Sequence, residues 1–438
     1  MKLFAVFGNP ILHSRSPQLW NAAFNARGID AHYFRINPLD AEHAARLIRE
    51  IPLDGCNVTT PYKDELFASL DECDDSVAQL HAVNTIKYEN RRLRGWNTDM
   101  YGVVNSLRED GIQFHGKKIV ILGAGGAARA AVYGLLKANA GEIVLLNRTY
   151  EKAVAVAEQL GCRAAYASRS KTELQDADVL ISCIPANKRI IKPEWLHPGL
   201  AVLDANYASH SLLLEDANAV GCHIISGLNW LVHQAVPAFE HLLGVAPEQD
   251  MKMTMQQLFA NPSSRLHAKS ISFIGFMGTG KTTVGKAFAE LTGKEFIDTD
   301  ALIEQRAGMT IPDIFQQHGE AHFRSIERTV FDALDFSTEK IISCGGGAVV
   351  NEENRRCLTA NTTVIWLWTE LHALLNRMDT TNRPLFHVDD VEAKARELLT
   401  RRIPIYAQAA DMMIVNEKIS AASLAKKIYG EIYPTSGD

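Results

Sequence analysis

The sequence predicts an α/β protein in which parallel sheets are built more than once along a single chain. Three observations carry that expectation. Short apolar runs alternate with amphipathic, Ala-rich stretches, as strand–helix–strand units require. The alternation stops at FANPSSRLHAKS (259–270), where Pro and Ser break helical periodicity, and then starts again. The length, 438 residues, exceeds one typical core and suits two or three.

Before the break, KKIVILG (117–123) reads as a strand, AARAAVYGLLKANA (127–140) as a helix and EIVLLNRT (142–149) as a strand. EKAVAVAEQL (151–160) is a helix, and DVLISCIP (178–185) and LAVLDANY (200–207) are strands. After the break, SISFIG (270–275), EFIDTD (295–300), KIISCGGG (340–347) and TTVIWLW (362–368) are strands, and KTTVGKAFAELTG (281–293) is a helix. TIPD (310–313) has the spacing of a helix start, with Thr310 as cap, and opens a helical region over 311–336. A linker is expected at 261–269.

Composition narrows the class. Apolar residues are 47% and charged residues 22%, the balance of a soluble globular protein. A formal charge of -6 gives no reason to expect nucleic acid or an anionic membrane as partner. The seven cysteines are scattered, without a C-x-x-C pair, which points away from zinc and disulfides and toward a reducing cytoplasmic setting. No run reaches membrane-spanning length, and MKLFAVFG at the start reads as a strand rather than a signal peptide.

Two glycine-rich loops each join a strand to a helix. In GAGGAARA (123–130), Gly123, Gly125, Gly126 and Ala127 allow a tight turn and close approach of backbone N–H groups to a pyrophosphate, as in a Rossmann unit. The next strand ends in Asn147, Arg148 and Thr149. An acidic residue there would take a ribose 2′-hydroxyl, whereas Arg148 suits a 2′-phosphate, so NADP(H) is expected over NAD. The second loop, GFMGTGKT (275–282), fits G-x-x-x-x-G-K-[ST]. Gly278, Thr279, Gly280 and Thr283 lie along this cradle, Lys281 reaches phosphate oxygens of ATP, and the Thr282 hydroxyl binds Mg²⁺.

Polar clusters surround both loops. Upstream of the first are HSRSP (Ser14, Ser16), NVTTPYK (Asn57, Thr59, Lys63), AVNT (Asn84, Thr85) and GWNTD (Asn97, Asp99). Hydroxyls, amides and a Lys–Asp combination suit a small polyhydroxylated acid, although any one cluster alone reads as a turn. Around the second are DTD (Asp298, Asp300), placed two apart so that both carboxylates leave one strand face, GEAHFRSIE (Arg324, Glu327), CGGG, NRMDTTNRPLF as a lid, and RRIPIY (Arg402).

Together the upstream motifs, with the G-A-G-G-A-A loop, N-R-T and GLNWLVHQAVPAF (227–239), resemble shikimate dehydrogenase over residues 1 to 258. The resemblance implies a substrate-binding domain at 1–103, completed by 236–260, and a Rossmann NADP-binding domain at 104–235. It implies that Ser14 and Ser16 hold the substrate carboxylate, that Thr59, Asn84, Tyr207 and Gln234 line the site, and that Lys63 and Asp99 are the catalytic pair for reducing the C3 carbonyl of 3-dehydroshikimate. Whether Lys63 donates the proton or clamps charge stays open. Trp230 stands where that family usually has Met, and NYAS and SCIPAN replace its usual sequences near the nicotinamide side.

The second set resembles shikimate kinase over 270–432, within a P-loop α/β domain expected at 270–438. That resemblance implies that Arg324, Arg402 and the Gly346–Gly347 backbone grip the shikimate carboxylate. It makes Asp300 the base, places Asp298 at Mg²⁺, Arg377 against adenine and Arg383 on the phosphates. Phe386 follows R-P-L where the family often has a second Leu. The implied function is bifunctional: NADPH-dependent reduction to shikimate, then phosphorylation by MgATP. The alternatives are an NAD(P)-dependent quinate/shikimate dehydrogenase fused to a non-catalytic P-loop module, and a kinase for another small hydroxy acid. Oligomeric state is not legible.

Overall fold

A computed structural model describes residues 1–185, 189–207, 211–260, 270–377, 386 and 390–433. Its strands are β1 (Lys2–Phe7), β2 (Ala31–Asn37), β3 (Gly55–Val58), β4 (Glu72–Cys73), β5 (Thr85–Glu89), β6 (Arg92–Trp96), β7 (Ile119–Leu122), β8 (Ile143–Asn147) and β9 (Arg163–Tyr166). They continue with β10 (Val179–Ser182), β11 (Ala201–Asp204), β12 (His223–Ile225), β13 (Ser270–Ile274), β14 (Glu295–Asp298), β15 (Lys340–Ser343), β16 (Thr362–Trp368) and β17 (Met412–Val415). The chain divides into two compact units, one of Ser14–Ile29 and Asp40–Gln257, the other of Met1–His13, Asp30–Leu39 and Leu258–Thr435. The linker expected at 261–269 lies outside the described residues.

The first unit holds a six-stranded parallel sheet in the order β12-β11-β10-β7-β8-β9. Its central strands β7 (IVIL) and β10 (VLIS) are buried throughout because both faces are covered, whereas the edge strand β9 (RAAY) is largely exposed. Ile119, Ile121, Leu145, Ile181 and Leu203 feed one core cluster. Their neighbours Val120, Leu122, Leu146, Leu180 and Val202 feed the other. The strand order reverses between β7 and β10, the crevice where ligands bind such sheets. The glycine loop after β7 opens there. In the same unit β3, β5, β6 and β4 are neighbours in that order. The β5–β6 hairpin closes over Asn90 and Arg91, both at positive φ (53° and 62°), as a two-residue turn of the primed kind requires.

The second unit is a parallel sheet in the order β14-β15-β13-β16-β17-β2-β1. All seven residues of β16 (TTVIWLW) are buried, which explains the apolar run over 364–368. The phosphate loop leaves β13, which sits between β15 and β16. The first two strands of the chain belong to this unit. β2 pairs with β17 through Met413↔Ile36 and Ile414↔Asn37, and Arg35 Nη1 donates to Asp411 O at 3.0 Å.

Two local expectations change. The helical region expected over 311–336 is Ile311–Asp332 and is broken at Gly319 (φ 79°, ψ 174°), although Thr310 caps it as predicted, accepting from Asp313 N at 3.3 Å. EFIDTD does not carry both aspartates on one strand face. The strand ends at Asp298, whose carboxylate caps the helix Thr299–Ala307 by accepting from Asp300 N at 3.0 Å. Asp300 is therefore in the first helical turn.

Candidate active sites

The site of the first unit is built where several elements end together. Asp99 opens the helix Asp99–Glu109, so its carboxylate sits at the positive end of the helix dipole. Asp99 Oδ2 takes the Lys63 ammonium, and Asp99 Oδ1 accepts from Asn84 Nδ2 at 2.9 Å. Asn84 Nδ2 also faces Thr98 Oγ1 (3.0 Å) and Gln234 Oε1 (3.4 Å), while Asn84 Oδ1 accepts from Thr98 N at 2.8 Å. Asn57 Nδ2 donates to Asn84 O at 3.1 Å and to Thr85 Oγ1 at 3.0 Å. Lys63, Asp99, Asn84 and Gln234, far apart in sequence, thus form one network. Asn84 is 2% exposed, so the network leaves it no rotational choice, while the Lys63 side chain at 17% remains reachable. Ser14 and Ser16 are both buried, and Ser16 N donates to Ser14 Oγ at 3.4 Å. Thr59 lies in the Lys63 loop, its carbonyl accepting from Tyr62 N at 3.1 Å. Tyr207 is partly buried after β11, at the edge of the described residues.

The nucleotide loop lies beside this network. Gly123 has φ 106°, and Gly125 caps the helix Gly126–Lys137. A Cβ placed on Gly126 would lie 3.7 Å from Lys63 Cδ and 3.9 Å from Asp64 Oδ1. Arg129, in the first turns of the same helix, forms an ion pair with Asp64. Ala127 follows Gly126 in the first turn. At the end of β8, Asn147 Nδ2 donates to Thr149 O at 2.9 Å and shapes the turn. Arg148 is exposed and makes no ion pair among the described residues. Free backbone N–H groups at a helix start plus an uncommitted guanidinium at the end of β8 fit a dinucleotide with a 2′-phosphate. Trp230, one of the departures from the resembled family, packs where Gly102 leaves room, since a Cβ on Gly102 would run into the indole.

In the second unit Gly275, Gly278 and Gly280 all have positive φ (140°, 81° and 82°), a backbone path that side-chain-bearing residues rarely adopt. Lys281 is buried to 9% exposure and its Nζ donates to Phe276 O at 2.9 Å, inside the curve of the loop. Thr282 Oγ1 donates to Asp298 Oδ2 at 2.8 Å and lies 3.3 Å from Ser343 Oγ. Those are hard oxygen donors gathered at one point, which suits Mg²⁺. Thr283 is exposed on the next position.

The glycines after β15 gather the remaining residues. A Cβ on Gly345 would lie 2.5 Å from Asp300 Oδ1, and one on Gly347 would lie 2.8 Å from Arg324 Nη2. Gly346 O accepts from Arg402 Nη1 (3.2 Å) and from the Tyr406 hydroxyl (2.5 Å). Arg324 is held by Glu327 at 2.9 Å and Glu320 at 3.0 Å. Burial pushes the Glu327 carboxyl up, and Arg324 pulls against that shift. Burial also raises the Tyr406 phenol to about 12, so it stays a donor. Arg377 Nη1 donates to Asn416 O at 3.0 Å, and Asn416 Nδ2 donates to Thr279 O at 2.7 Å, which ties Arg377 to the phosphate loop. Arg383 and most of the expected lid lie outside the described residues.

Sequence reasoning missed Asn416, Ser343, Tyr406 and the Asp64–Arg129 pair. Ser343 and Tyr406 sit inside KIISCGGG and RRIPIY. Asn416, after β17, carried no motif at all.

Family models match the chain in three places: shikimate dehydrogenase substrate binding domain at 6–86, shikimate / quinate 5-dehydrogenase at 106–207 and shikimate kinase at 277–433. The shikimate dehydrogenase (NADP(+)) of Moorella thermoacetica is 38% identical over 254 residues, 54% of this chain and 86% of that protein. That of Methanothermobacter thermautotrophicus is 34% identical over 262 residues, covering 56% and 92%. The crystal structure of a Thermus thermophilus shikimate 5-dehydrogenase in complex with NADP(H) and shikimate is similar at TM-score 0.54 and 30% identity, over 59% of this chain and 99% of that one. The chain belongs to the shikimate dehydrogenase family and carries a shikimate kinase domain after it.

Proposed function

We propose that this bifunctional shikimate-pathway enzyme reduces 3-dehydroshikimate to shikimate at the Lys63 site and phosphorylates shikimate at the Lys281 site. The observation that carries the reading is the network of Lys63, Asp99, Asn84 and Gln234 lying directly against Gly126 of the nucleotide loop. The functional division we propose is a substrate domain at 1–103 completed by 236–260, a Rossmann domain at 104–235, a linker at 261–269 and a kinase domain at 270–438.

In the first reaction NADPH, when bound, supplies the hydride. The chain supplies the rest. Ser14 and Ser16 fix the substrate carboxylate, and Thr59, Asn84, Tyr207 and Gln234 fix its hydroxyls. Lys63 stabilises the oxygen that becomes negative at C3, and Asp99 aims the ammonium. Arg148, with Asn147 and Thr149, holds the 2′-phosphate.

In the second reaction MgATP, when bound, supplies the phosphoryl group. Lys281 and the backbone of 278–283 neutralise phosphate charge, while Thr282 and Asp298 hold the cation. Arg324, Arg402 and the Gly346–Gly347 backbone orient the acid, and Asp300 takes the proton from its hydroxyl. Arg377 faces the adenine and Arg383 the phosphates. Transfer of this kind depends on positioning and charge neutralisation, which convergent Arg and Lys residues provide. We place the enzyme in the cytoplasm, acting on small molecules rather than nucleic acid. Among the described residues no helix is long and apolar enough to cross a membrane.

The uncommitted Arg148 favours this reading over an NAD-dependent quinate enzyme. Two assays on the purified chain test it. Reduction of 3-dehydroshikimate should proceed with higher kcat/KM for NADPH than for NADH, and ADP should appear only when shikimate is added. Shikimate-independent ADP release, or none with it, contradicts the kinase assignment.

A further inference from the structure

The helix start that suits the cofactor pyrophosphate has a carboxylate on its rim. The first backbone bond of the helix Gly126–Lys137 runs from Arg129 N to Gly125 O at 3.0 Å. The N–H groups of residues 126–128 therefore lack intrahelical acceptors and face outward as anion donors. A Cβ on Gly126 would lie 3.9 Å from Asp64 Oδ1. Asp64 follows Lys63 in the chain, and its side chain does not cap the short helix Glu65–Ser69 that it precedes. A negative charge this close to the helix start opposes an incoming phosphate, well inside the Debye length of about 8 Å at physiological ionic strength.

The compensating charge comes from the same helix. Arg129 donates through Nη2 to Asp64, its one side-chain acceptor among the described residues. Arg129 Nε is buried and has no partner among them. The Lys63 ammonium, next to Asp64 in sequence, is committed to Asp99. Within the pair the Arg129 side chain is 16% exposed and that of Asp64 55%, so the cation is held in place and the carboxylate faces the opening.

We propose that Arg129 is a positioning residue for the cofactor that acts through Asp64: it neutralises the carboxylate on the rim, so that the helix N–H groups alone set the field the pyrophosphate meets. The inference rests on the reading of 123–130 as the nucleotide loop. It follows that the two partners of one ion pair act in opposite directions on cofactor affinity. Loss of Arg129 bares a negative charge beside the phosphates, whereas loss of the Asp64 charge leaves a free cation there. A pair that only fastened the Lys63 turn to the helix would lose affinity when either partner was removed. Because the pyrophosphate is common to both nicotinamide dinucleotides, the pair acts equally on NADPH and NADH, which separates its role from that of Arg148.

The test titrates NADPH into the full chain by its fluorescence, for wild type, Arg129→Gln, Asp64→Asn and the double variant. The Kd should rise about tenfold in R129Q, fall about threefold in D64N, and return to within about threefold of wild type in D64N/R129Q. Both single effects should shrink at about 0.5 M KCl, and the ratio of kcat/KM for NADPH to that for NADH should be the same in R129Q as in wild type. An unchanged Kd in R129Q overturns the proposal. So does a double variant that binds as weakly as R129Q. A Kd in D64N at or above the wild-type value also overturns it, being what simple fastening predicts, and this arm decides the matter alone if R129Q does not fold. If the wild-type chain takes up no NADPH, the assignment of the loop fails rather than the role of Arg129.

Discussion

Lys63 and Lys281 do one physical job in two places, putting a single ammonium where negative charge gathers. Their settings differ. Lys63 rests on a carboxylate, whereas Lys281 is curled onto the carbonyl of its own loop. Because each belongs to a separate constellation, Lys63→Ala should lower kcat for reduction by about 10²–10³-fold and leave ADP formation within twofold. Lys281→Met should do the reverse, and steady-state assays of both reactions on both variants check this. Arg148, which has no ion-pair partner among the described residues, should discriminate cofactors: Arg148→Ala should lower kcat/KM for NADPH about tenfold and leave the NADH value nearly unchanged. These residues were legible because each stands in a spaced motif. Asn416 was not, because its role comes from its backbone carbonyl accepting from Arg377 and its side-chain amide donating to Thr279 O, contacts that carry no spaced motif.

At the scale of elements, the two glycine loops were legible in full, since strand, turn and helix are each written locally. Where the reading slipped, a side chain competed with the expected element. Asp298 ends its strand by capping the next helix, so the period-two argument for Asp300 lost to a helix start. Gly319 likewise breaks a stretch whose periodicity read as continuous. The CGGG turn is the element with the sharpest consequence. It lies against Asp300, Arg324 and the phosphate loop, and a methyl group at Gly347 would come within 2.8 Å of the Arg324 guanidinium, which would have to shift. Gly347→Ala should displace the Arg324 guanidinium and raise the kinase KM for shikimate about tenfold, with the KM for ATP little changed. A matching rise in both KM values would instead mean that the substitution unfolds the turn.

At the scale of the whole molecule, the compact units do not follow chain order, and this was the least legible feature. Nothing in the sequence of β2 announces pairing with β17, because the backbone groups that pair are common to all residues. Stability of the molecule also responds to pH through a contact network of ion pairs. Glu173 receives both Arg163 Nη groups (3.0 and 2.7 Å), with the Lys118 ammonium 3.3 Å away. Arg163 first, and then Lys118, hold its carboxyl down at about 2, against an ordinary value of 4.5, with burial opposing them. A depressed carboxyl contributes stability that is present above the ordinary value and lost as pH falls toward about 2. The gap in Tm between wild type and Glu173→Gln should therefore be widest near neutrality and close in acid; a gap independent of pH would assign the effect to packing.

In the proposed pair of reactions one oxygen atom, formed as a hydroxyl at C3 by the first site, is phosphorylated by the second. The direct measurement supplies the purified chain with 3-dehydroshikimate, NADPH and MgATP and follows both nucleotides together. NADPH should be consumed first, ADP should follow after a lag, and the two should reach equal amounts with shikimate 3-phosphate as product. NADPH consumption with no ADP, or ADP formed without prior reduction, would contradict the account.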